Sequence, residues 1–369
     1  MKRNFRYFLG MLALAIPLCV SAQDNLQQQV NNLEGKVDRM PKISGFVQGM
    51  YQANLDDNGA LKDNTLRMRR VRMSVEGTLF KGLTYKIQGD FSRSPMLVDG
   101  FLKYKACDAF AIQVGQFKTP FSIESPINPL NLEIFDYGEG IQKLVGYSDV
   151  CGVGSLGRDL GIMATGSLFP VEMQNGQKFS IVDYSIGVFN GNGANEKDNN
   201  NRKDIVGRLD IHPGLKALTL SSSYYYGKYY KDAKNNGVRN RWAAGMQYND
   251  GDLMVRAEYL SGTTGSFVDI VGSDGQVTGT TEVLIGSKGY YAEAGYNLKI
   301  GKDRSQKLMP VARYEHFAEQ AVLGGTDWYT IGINYWPLKS VNFKLDYSLN
   351  MNGDDINSHR VVGILSYKF

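Results

Sequence analysis

From Ile43 to its C-terminus the chain alternates apolar and polar residues with a period of two, which is the periodicity of a β-strand with one apolar face. In residues 70–80 one face carries Val71, Met73, Val75, Gly77 and Leu79, and the other carries Arg70, Arg72, Ser74, Glu76 and Thr78. About sixteen such segments follow one another, each near the ten residues that a tilted transmembrane strand needs. The pattern predicts an all-β protein with antiparallel strands.

A soluble β-sandwich and a membrane barrel share this alternation, and the lengths of the connections favour the barrel. Some connections are short, whereas others are long and polar or glycine-rich, as expected for periplasmic turns and outer loops. The short ones are Lys81–Gly82, Asn249–Asp252 and Pro337–Ser340, and the long ones are Asn54–Asn64, Gly191–Asn201 and Gly262–Ser287. Sandwiches follow no such rule.

The aromatic residues and the C-terminus support the same choice. Tyrosine and tryptophan cluster at predicted strand ends, where an interfacial belt would lie, in Tyr224–Tyr226, Tyr229–Tyr230 and Tyr335–Trp336. The last strand is amphipathic and ends in phenylalanine, which resembles the signal that the outer-membrane assembly machinery recognises. We therefore expect Tyr367 and Phe369 to act in assembly. The predicted fold is a transmembrane antiparallel β-barrel of about 16 strands, embedded in outer-membrane lipid.

The N-terminal residues 1–22 are predicted to be a cleaved signal peptide. A basic start is followed by the apolar stretch Tyr7–Val20 and by small residues up to Ala22. Cys19 raises a lipoprotein alternative, although Ile16–Leu18 before it lacks the small residues of a lipobox. The apolar stretch is too short to span a bilayer as a helix.

Residues 23–41 are predicted to form a short periplasmic helix. Its apolar residues follow the a/d spacing of a coiled coil, and Pro41 ends the pattern. These residues are Leu26, Val30, Leu33, Val37 and Met40. Because only two heptads are present, a short amphipathic or frayed helix remains the alternative. The remaining residues, 42–369, are assigned to the barrel.

The charge balance argues against a nucleic-acid partner. Removing residues 1–22 takes away three basic and no acidic residues from a chain of net charge +4, which leaves +1. Nucleic-acid-binding proteins usually carry a concentrated basic face. The mature chain keeps Cys107 and Cys151, which could pair or stay free. No cysteine–histidine cluster indicates a metal site, and no cofactor is expected.

Residues 119–157 interrupt the hairpin pattern and are predicted to be a constriction loop. A connection this long inside a compact domain is functional or disordered. Its prolines and aromatic residues can pack against a surface, and it is the third outer loop when hairpins are counted from Ile43. In general porins the third outer loop folds into the barrel and narrows the pore. An external cap or a trimer-contact loop is the alternative.

The charges suggest an electrostatic mechanism. The loop carries Glu124, Glu133, Asp136, Glu139 and Asp149 against Lys143, whereas the expected lumen face of the strands has an excess of basic residues. The predicted pore-lining residues are Arg70, Arg72, Lys86, Lys103, Lys105, Lys118, Arg208, Arg241, Arg256 and Arg313. Basic walls opposite an acidic loop would set a field across the constriction and select ions by sign. Alternatively, these are ordinary solvated charges in a wide pore.

Several phrases resemble the phosphate-selective porin O/P family over most of the chain from Ile43 onward. They are ISGFVQGMYQAN, RMRRVRMSVEGTLFKGLTYKIQGDF, VGQFKTPFSIE, GRDLGI and GVFNGNG, of which VGQFKTPF and GRDLG are the most specific. The resemblance implies a sixteen-stranded, trimeric porin with an inward third loop. It matches Arg70 and Arg72 to a basic pair of the family, and Lys118 to the lysine of VGQFK.

The chain departs from the family where selectivity is concerned. The resemblance places phosphate selectivity in a dense arginine ladder and a lysine cluster, but the loop here is acidic and shows no such cluster. We therefore expect passive diffusion of small hydrophilic solutes with a weak preference for anions, phosphate being one candidate.

The sequence leaves three other functions to compare with a porin. A barrel enzyme needs a serine–histidine pair with an orienting partner, and His212, His316 and His359 lie in no recognisable motif. An energy-coupled transporter would carry a globular plug before the barrel, and only the twenty residues 23–42 of the predicted mature chain precede Ile43. A structural or adhesive barrel without an open pore is the main alternative, and it would show no open-channel steps in a conductance measurement.

Overall fold

The structure is a computed structural model that describes residues 40–173, 176, 178–230, 235–271, 275–320 and 324–369. These residues form one antiparallel sheet. Its strands are β1 (Lys42–Leu55), β2 (Leu61–Phe80), β3 (Leu83–Asp90), β4 (Leu97–Cys107), β5 (Phe110–Lys118), β6 (Arg158–Glu172), β7 (Lys178–Phe189), β8 (Asp204–Ile211), β9 (Leu218–Tyr230), β10 (Asn236–Asn249), β11 (Leu253–Val271), β12 (Val277–Tyr296), β13 (Leu298–Ile300), β14 (Gln306–Glu319), β15 (Thr326–Leu338), β16 (Val341–Asn352) and β17 (Asp355–Lys368). The predicted signal peptide and the predicted helix up to residue 39 lie outside the described residues.

The sheet closes on itself, because β1 pairs with β2 on one side and with β17 on the other. β13 follows β12 after Asn297 and pairs with the same neighbour, β14. The two segments therefore make one spanning strand, and the barrel has sixteen. Closure gives every spanning strand two hydrogen-bonded neighbours and leaves no open edge within the bilayer. The predicted sixteen-stranded barrel is confirmed.

Two of the predicted long loops are mostly strand. β2 already begins at Leu61, and β11 and β12 extend to Val271 and from Val277, so the loop predicted at Gly262–Ser287 is largely a hairpin. Its outer part pairs only within the hairpin, because the last β11 residue that pairs with β10 is Thr264. Threonine and β-branched apolar residues in this segment favour strand over loop, and that preference outweighs its glycine content.

The barrel is apolar outside and polar inside, the reverse of a soluble sandwich. In β16, Phe343, Leu345 and Tyr347 are exposed on the outer face, whereas Lys344 and Asp346 between them are 5% and 1% exposed. An apolar outer band with a polar interior is the arrangement of outer-membrane barrels. The short turns lie at one end of the barrel, which we call the periplasmic end. Among the described helices, none has the length and apolarity that a membrane span requires.

A β-bulge in β2 breaks the strict alternation. The register between β1 and β2 shifts between Gln48, which faces Arg70, and Gly49, which faces Met68. Arg69 is the extra residue, and both it and Arg70 turn toward the lumen, with side chains 6% and 12% exposed. A bulge of this kind places two residues of one strand opposite one of its neighbour. The arginines of β2 consequently face the interior on both sides of the bulge.

The C-terminal residue completes the ring of hydrogen bonds at the periplasmic end. The amide of Gly45 donates to the carbonyl of Phe369 at 3.0 Å, and the amide of Phe369 donates to the carbonyl of Gly45 at 3.1 Å. The rings of Tyr367 and Phe369 stack at 6.4 Å, and both are about half exposed on the outer face. Phe369 thus contributes both backbone pairing and outward apolar surface at the seam between β1 and β17.

The segment between β5 and β6, residues 119–157, lies inside the barrel, as predicted for the third loop. It contains a 3-10 turn (Pro129–Asn131) and one short helix, α1 (Glu139–Leu144). The helix presents Ile141 and Leu144 to an apolar cluster that includes Leu260 of β11 and Phe317 of β14. A barrel of this size would otherwise enclose water, so this packing gives the loop a small apolar core of its own.

Candidate functional site in the barrel lumen

Buried ion pairs fasten the loop to strands β8–β16, which we call the clamp wall. Both terminal nitrogens of Arg313 donate to the carboxylate of Glu124, at 2.6 and 3.1 Å, and neither side chain is exposed. Arg256 likewise donates to Glu133 at 3.0 and 3.3 Å. Such two-pronged guanidinium–carboxylate pairs are stronger and more directional than single hydrogen bonds.

Asp149 makes a third attachment. It accepts from Arg239 at 3.1 Å and from Arg241 at 3.3 Å, and its side chain is fully buried. Burial by itself would favour the protonated acid, but the two guanidiniums hold the pKa of Asp149 below its ordinary value. The attachment is therefore an ionised triad over the range of pH in which the carboxylate would ordinarily be charged.

The backbone of the loop is held as well as its side chains. The carboxylate of Glu258 accepts from the hydroxyl of Ser122 at 2.9 Å and from the amide of Ile123 at 2.8 Å. The ammonium of Lys344 donates to the carbonyls of Leu132 and Ile134. Because these polar backbone groups are satisfied by the wall, the loop can lie across the lumen without a neighbouring strand.

Space remains on the opposite side of the loop, against strands β2–β6, which we call the open wall. Two cavities of about 400 and 290 Å³ lie there, and Arg72, Arg158 and Pro129 line both. The larger cavity extends past Arg67 toward the outer end of β2, and the smaller extends past Lys86 toward the periplasmic end of β3. We call the two together the basic pathway, and the shared residues mark its junction.

Basic side chains outnumber acidic ones along the basic pathway by eight to three. The basic residues are Arg67, Arg69, Arg70, Arg72, Lys86, Arg93, Lys118 and Arg158, and the acidic ones are Asp90, Asp99 and Asp136. The pathway therefore has an excess of five basic side chains, in addition to the arginines that lie under the loop. A lumen lined by one sign of charge attracts ions of the opposite sign.

Carboxylates fix the two guanidiniums at the junction. Nε of Arg72 donates to Asp90 at 2.9 Å, and Arg158 donates to Asp99 through Nε at 2.7 Å and Nη2 at 3.4 Å. Asp90 is in turn held by the hydroxyl of Ser92 at 2.6 Å. Each acid engages one edge of its arginine, so the remaining N–H groups are held in a fixed direction.

Lys118, at the end of β5, bonds no carboxylate among the described residues. Its ammonium donates to the carbonyls of Ser125 and Ile127, the latter at 2.9 Å, and to the hydroxyl of Tyr137 at 2.8 Å. These three acceptors are neutral and all belong to the loop. Lys118 therefore orders the base of the loop and adds a positive charge beside the junction.

Comparison with known proteins agrees with this geometry. The sequence profile of the family described as phosphate-selective porin O and P matches residues 42–364, which is most of the chain. The chain belongs to this porin family. The porin is therefore an outer-membrane channel protein. No curated protein matches the chain.

Solved structures similar to this porin are also barrels. The anion-selective porin from Comamonas acidovorans has a TM-score of 0.63 at 14% identity, and the match covers 89% of this chain and 99% of that one. OmpF of Salmonella typhi has a TM-score of 0.59 at 13% identity, with 90% and 98% covered. OmpT of Vibrio cholerae, in its trimer form, has a TM-score of 0.59 at 12% identity, with 89% and 99% covered. At these identities the likeness shows the fold alone.

The predicted pore-lining residues of the porin separate into three places. Arg70, Arg72, Lys86 and Lys118 line the basic pathway. Lys103 and Lys105 lie near the periplasmic end of β4, where Lys105 pairs with Asp108 at 2.6 Å. The arginines Arg208, Arg241, Arg256 and Arg313 lie beneath the loop instead, and all but Arg208 are at most 3% exposed. Each of the four bonds at least one group of the loop, so they hold the loop rather than face the pathway.

Four basic residues of the pathway were absent from the sequence prediction. Arg67 and Arg69 fall on the lipid-facing phase if β2 alternates strictly, and the bulge brings them inside. Arg93 follows β3 in an outer loop, and Arg158 is the arginine of GRDLGI. Arginines on both phases of one transmembrane strand are themselves a signal for a bulge, because arginine on the lipid face costs about 2–4 kcal/mol near the midplane.

The predicted field between an acidic loop and basic walls takes a different form. Glu124, Glu133 and Asp149 contact wall arginines directly, so their charges are compensated across a few ångströms and not across open water. Glu139 pairs within α1 with Lys143 at 3.7 Å. Asp136 alone among the predicted loop acids lines the basic pathway, 2.8 Å from Arg69, with a side chain 30% exposed.

The two described cysteines are free and differ in environment. Cys107 is exposed at the end of β4, and Cys151 lies in the loop. The two do not form the disulfide that the sequence left open. Burial raises the pKa of the Cys151 thiol to about 12, and the thiol lies 2.8 Å from a carboxylate oxygen of Asp149. In the part of the chain that the structure describes, no group of three or more metal-ligating side chains occurs.

Proposed function

We propose that this porin passes small hydrophilic solutes by passive diffusion with a preference for anions, and that the basic pathway is the route. The observation that carries the proposal is the junction of the two cavities at Arg72 and Arg158, within a lining of eight basic and three acidic side chains. Inorganic phosphate is one candidate solute, in keeping with the description of the family. The similar Comamonas acidovorans porin is described as anion-selective.

The test is the reversal potential of the purified protein in a planar bilayer under a KCl gradient. Two charges about 8 Å from a permeating ion contribute about 0.5 kcal/mol each in water, and roughly half of that after screening in 0.1 M salt. The two charges together favour an anion by about 0.5 kcal/mol and disfavour a cation by about the same amount, which is about 1 kcal/mol in the permeability ratio. Arg70→Ala with Arg72→Ala should therefore lower the anion-to-cation permeability ratio about five-fold in dilute salt, and little in molar salt.

Lys299→Gln is the matched control, because this lysine pairs with Asp252 at the periplasmic end and lines neither cavity of the pathway. It should leave the reversal potential unchanged. If the double variant also leaves the potential unchanged, ions do not pass beside Arg70 and Arg72. A protein that shows no open-channel steps would favour a structural or adhesive barrel instead.

We further propose that the porin has no enzymatic activity. The described histidines lie apart from one another and from the pathway: His212 bonds Asp183 at 3.1 Å, His316 bonds Asp327 at 2.9 Å and His359 bonds Tyr347 at 2.6 Å. We also propose that it forms a homotrimer, as the similar Vibrio cholerae protein does in its trimer form. Cross-linking of the purified protein tests the trimer, and a monomer as the largest species would exclude it.

A further inference from the structure

The basic pathway has two unlike sides. The open wall supplies the guanidiniums, whereas the loop supplies apolar and aromatic side chains that face them. Tyr147 and Leu156 are partly exposed in the larger cavity, and Pro126 is exposed in the smaller one. Pro129 lies at the junction between them. An inorganic anion has no use for apolar surface, because its preferred surroundings are polar on every side.

The ring of Tyr147 is held from behind. The centroid of the Tyr147 ring lies 4.6 Å from that of Tyr137, with 36° between the ring planes. The ammonium of Lys118 lies 5.1 Å from the centroid of the Tyr137 ring. Tyr137 is almost fully buried, so it cannot turn away and leave Tyr147 unsupported. A supported aromatic side chain offers its remaining surface to a solute at little cost in conformational entropy.

The backbone conformation of Leu156 is a second, independent observation that points to an apolar contact site in the larger cavity. Leu156 has a φ of +55°, in the left-handed region that costs a residue with a β-carbon about 1–2 kcal/mol. Its carbonyl accepts from Nη1 of Arg158 at 3.1 Å, so the strained residue is bound directly to the junction arginine. Strain of this kind persists where the surrounding structure requires one conformation, and it clusters at functional sites. Here it places an apolar side chain in the lining of the larger cavity.

We propose that the pathway selects organic anions with an apolar body, such as aromatic sulfonates, phosphonates or carboxylates, over inorganic anions of the same charge. The anionic group lies against Arg70, Arg72 and Arg158, while the apolar body lies against Tyr147 and Leu156. The inference rests on the proposed anion pathway and names its substrate class. The cavities, of about 400 and 290 Å³, have room for a six-membered ring together with its charged group.

The experiment measures how strongly benzenesulfonate and methanesulfonate reduce the chloride current through the purified porin in about 0.1 M KCl, where the Debye length is about 10 Å. Both are permanent monoanions, so a difference between them reports the apolar body. We expect benzenesulfonate to reduce the current at a concentration about five-fold lower, the factor that one ring–ring contact commonly contributes.

Three variants assign the difference to the loop. Tyr147→Gln and Leu156→Asn should each bring the two sulfonates to within two-fold of each other, whereas Tyr147→Phe, the matched control, should keep the difference. Asparagine tolerates the left-handed conformation, so Leu156→Asn keeps the backbone of the loop even if Tyr147→Gln disturbs its packing. Lys299→Gln, which lies outside both cavities, should keep the wild-type reversal potential in a KCl gradient.

Equal action of the two sulfonates on the wild-type protein would overturn the proposal while leaving the anion pathway intact. A difference that survives in both Tyr147→Gln and Leu156→Asn would overturn it as well, because the apolar contact would then lie elsewhere. Failure of the pathway itself is distinguishable, since it appears as an unchanged reversal potential in the Arg70→Ala, Arg72→Ala double variant.

Discussion

Replacing Glu124 by Gln should loosen the loop without unfolding the barrel. Glutamine keeps the size of the side chain but removes the charge that Arg313 faces at 2.6 and 3.1 Å in a fully buried setting. Removing one partner of a buried ion pair costs about 3–5 kcal/mol. Arg313 retains Glu293 at 2.9 Å and Glu315 at 3.2 Å, so we expect the lower end, about 3 kcal/mol.

A loss of 3 kcal/mol from the closed loop raises the population of its detached state about a hundredfold. The sixteen paired strands do not depend on this contact, so the folded, heat-modifiable barrel should persist. Two measurements report the loop: open-channel current noise in a planar bilayer, which should rise, and the rate of tryptic cleavage after Lys143 in α1, which should follow the detached population.

Glu172→Gln is the matched control, because this glutamate pairs with Lys178 at 3.3 Å at the periplasmic end of the barrel. Both side chains are more than half exposed there. Exposed pairs of this type contribute about 0–1 kcal/mol, so noise and cleavage should match the wild type. If Glu124→Gln also matches the wild type in both measurements, the buried ion pairs do not hold the loop in place.

Three further predictions concern selectivity, thiol chemistry and assembly. Asp136→Asn should raise the anion-to-cation permeability ratio in dilute salt, because Asp136 is the loop acid that lines the basic pathway, and an unchanged reversal potential would remove it from the pathway. A maleimide at neutral pH should label Cys107 and leave Cys151 unlabelled, because burial holds the pKa of Cys151 near 12 and keeps its thiol protonated, as mass spectrometry of the tryptic peptides would show. Deleting Phe369 should reduce the amount of folded, heat-modifiable protein in the membrane while leaving the conductance of each assembled channel unchanged, and normal assembly would contradict its role at the seam.

Much of the fold can be predicted from the sequence because one physical constraint acts on every strand. A barrel in lipid must show apolar side chains outward at every second residue, so alternation in β16, with Phe343, Leu345 and Tyr347 outside, follows directly from the residue order. The inward loop can also be predicted, because the segment 119–157 is too long and too apolar for a simple hairpin connection.

The bulge in β2 could not be read from alternation alone. A single extra residue at Arg69 exchanges the faces of all residues before it, and alternation fitted from Val71 onward misassigns Arg67 and Arg69. The energetic argument would have corrected the pattern: two arginines on the lipid face cost several kcal/mol in total, far more than one irregular pairing. Where strict alternation would place a charged side chain on the lipid face of a transmembrane strand, the cost of desolvating that charge determines which face the side chain occupies.

The roles of the loop acids could not be read from their number. Glu124 and Asp136 lie twelve positions apart in the same loop, yet one is fully buried against Arg313 and the other lines the pathway beside Arg69. Net charge counts both equally, but only the exposed one acts on a passing ion, because a buried pair at 2.6 Å presents almost no field outside itself. The loop acids that pair with the clamp wall therefore fix the position of the loop, and that position decides which arginines of the open wall remain accessible. If ions follow the proposed basic pathway, a substitution under the loop acts on selectivity by moving the loop, whereas one on the open wall changes the field directly.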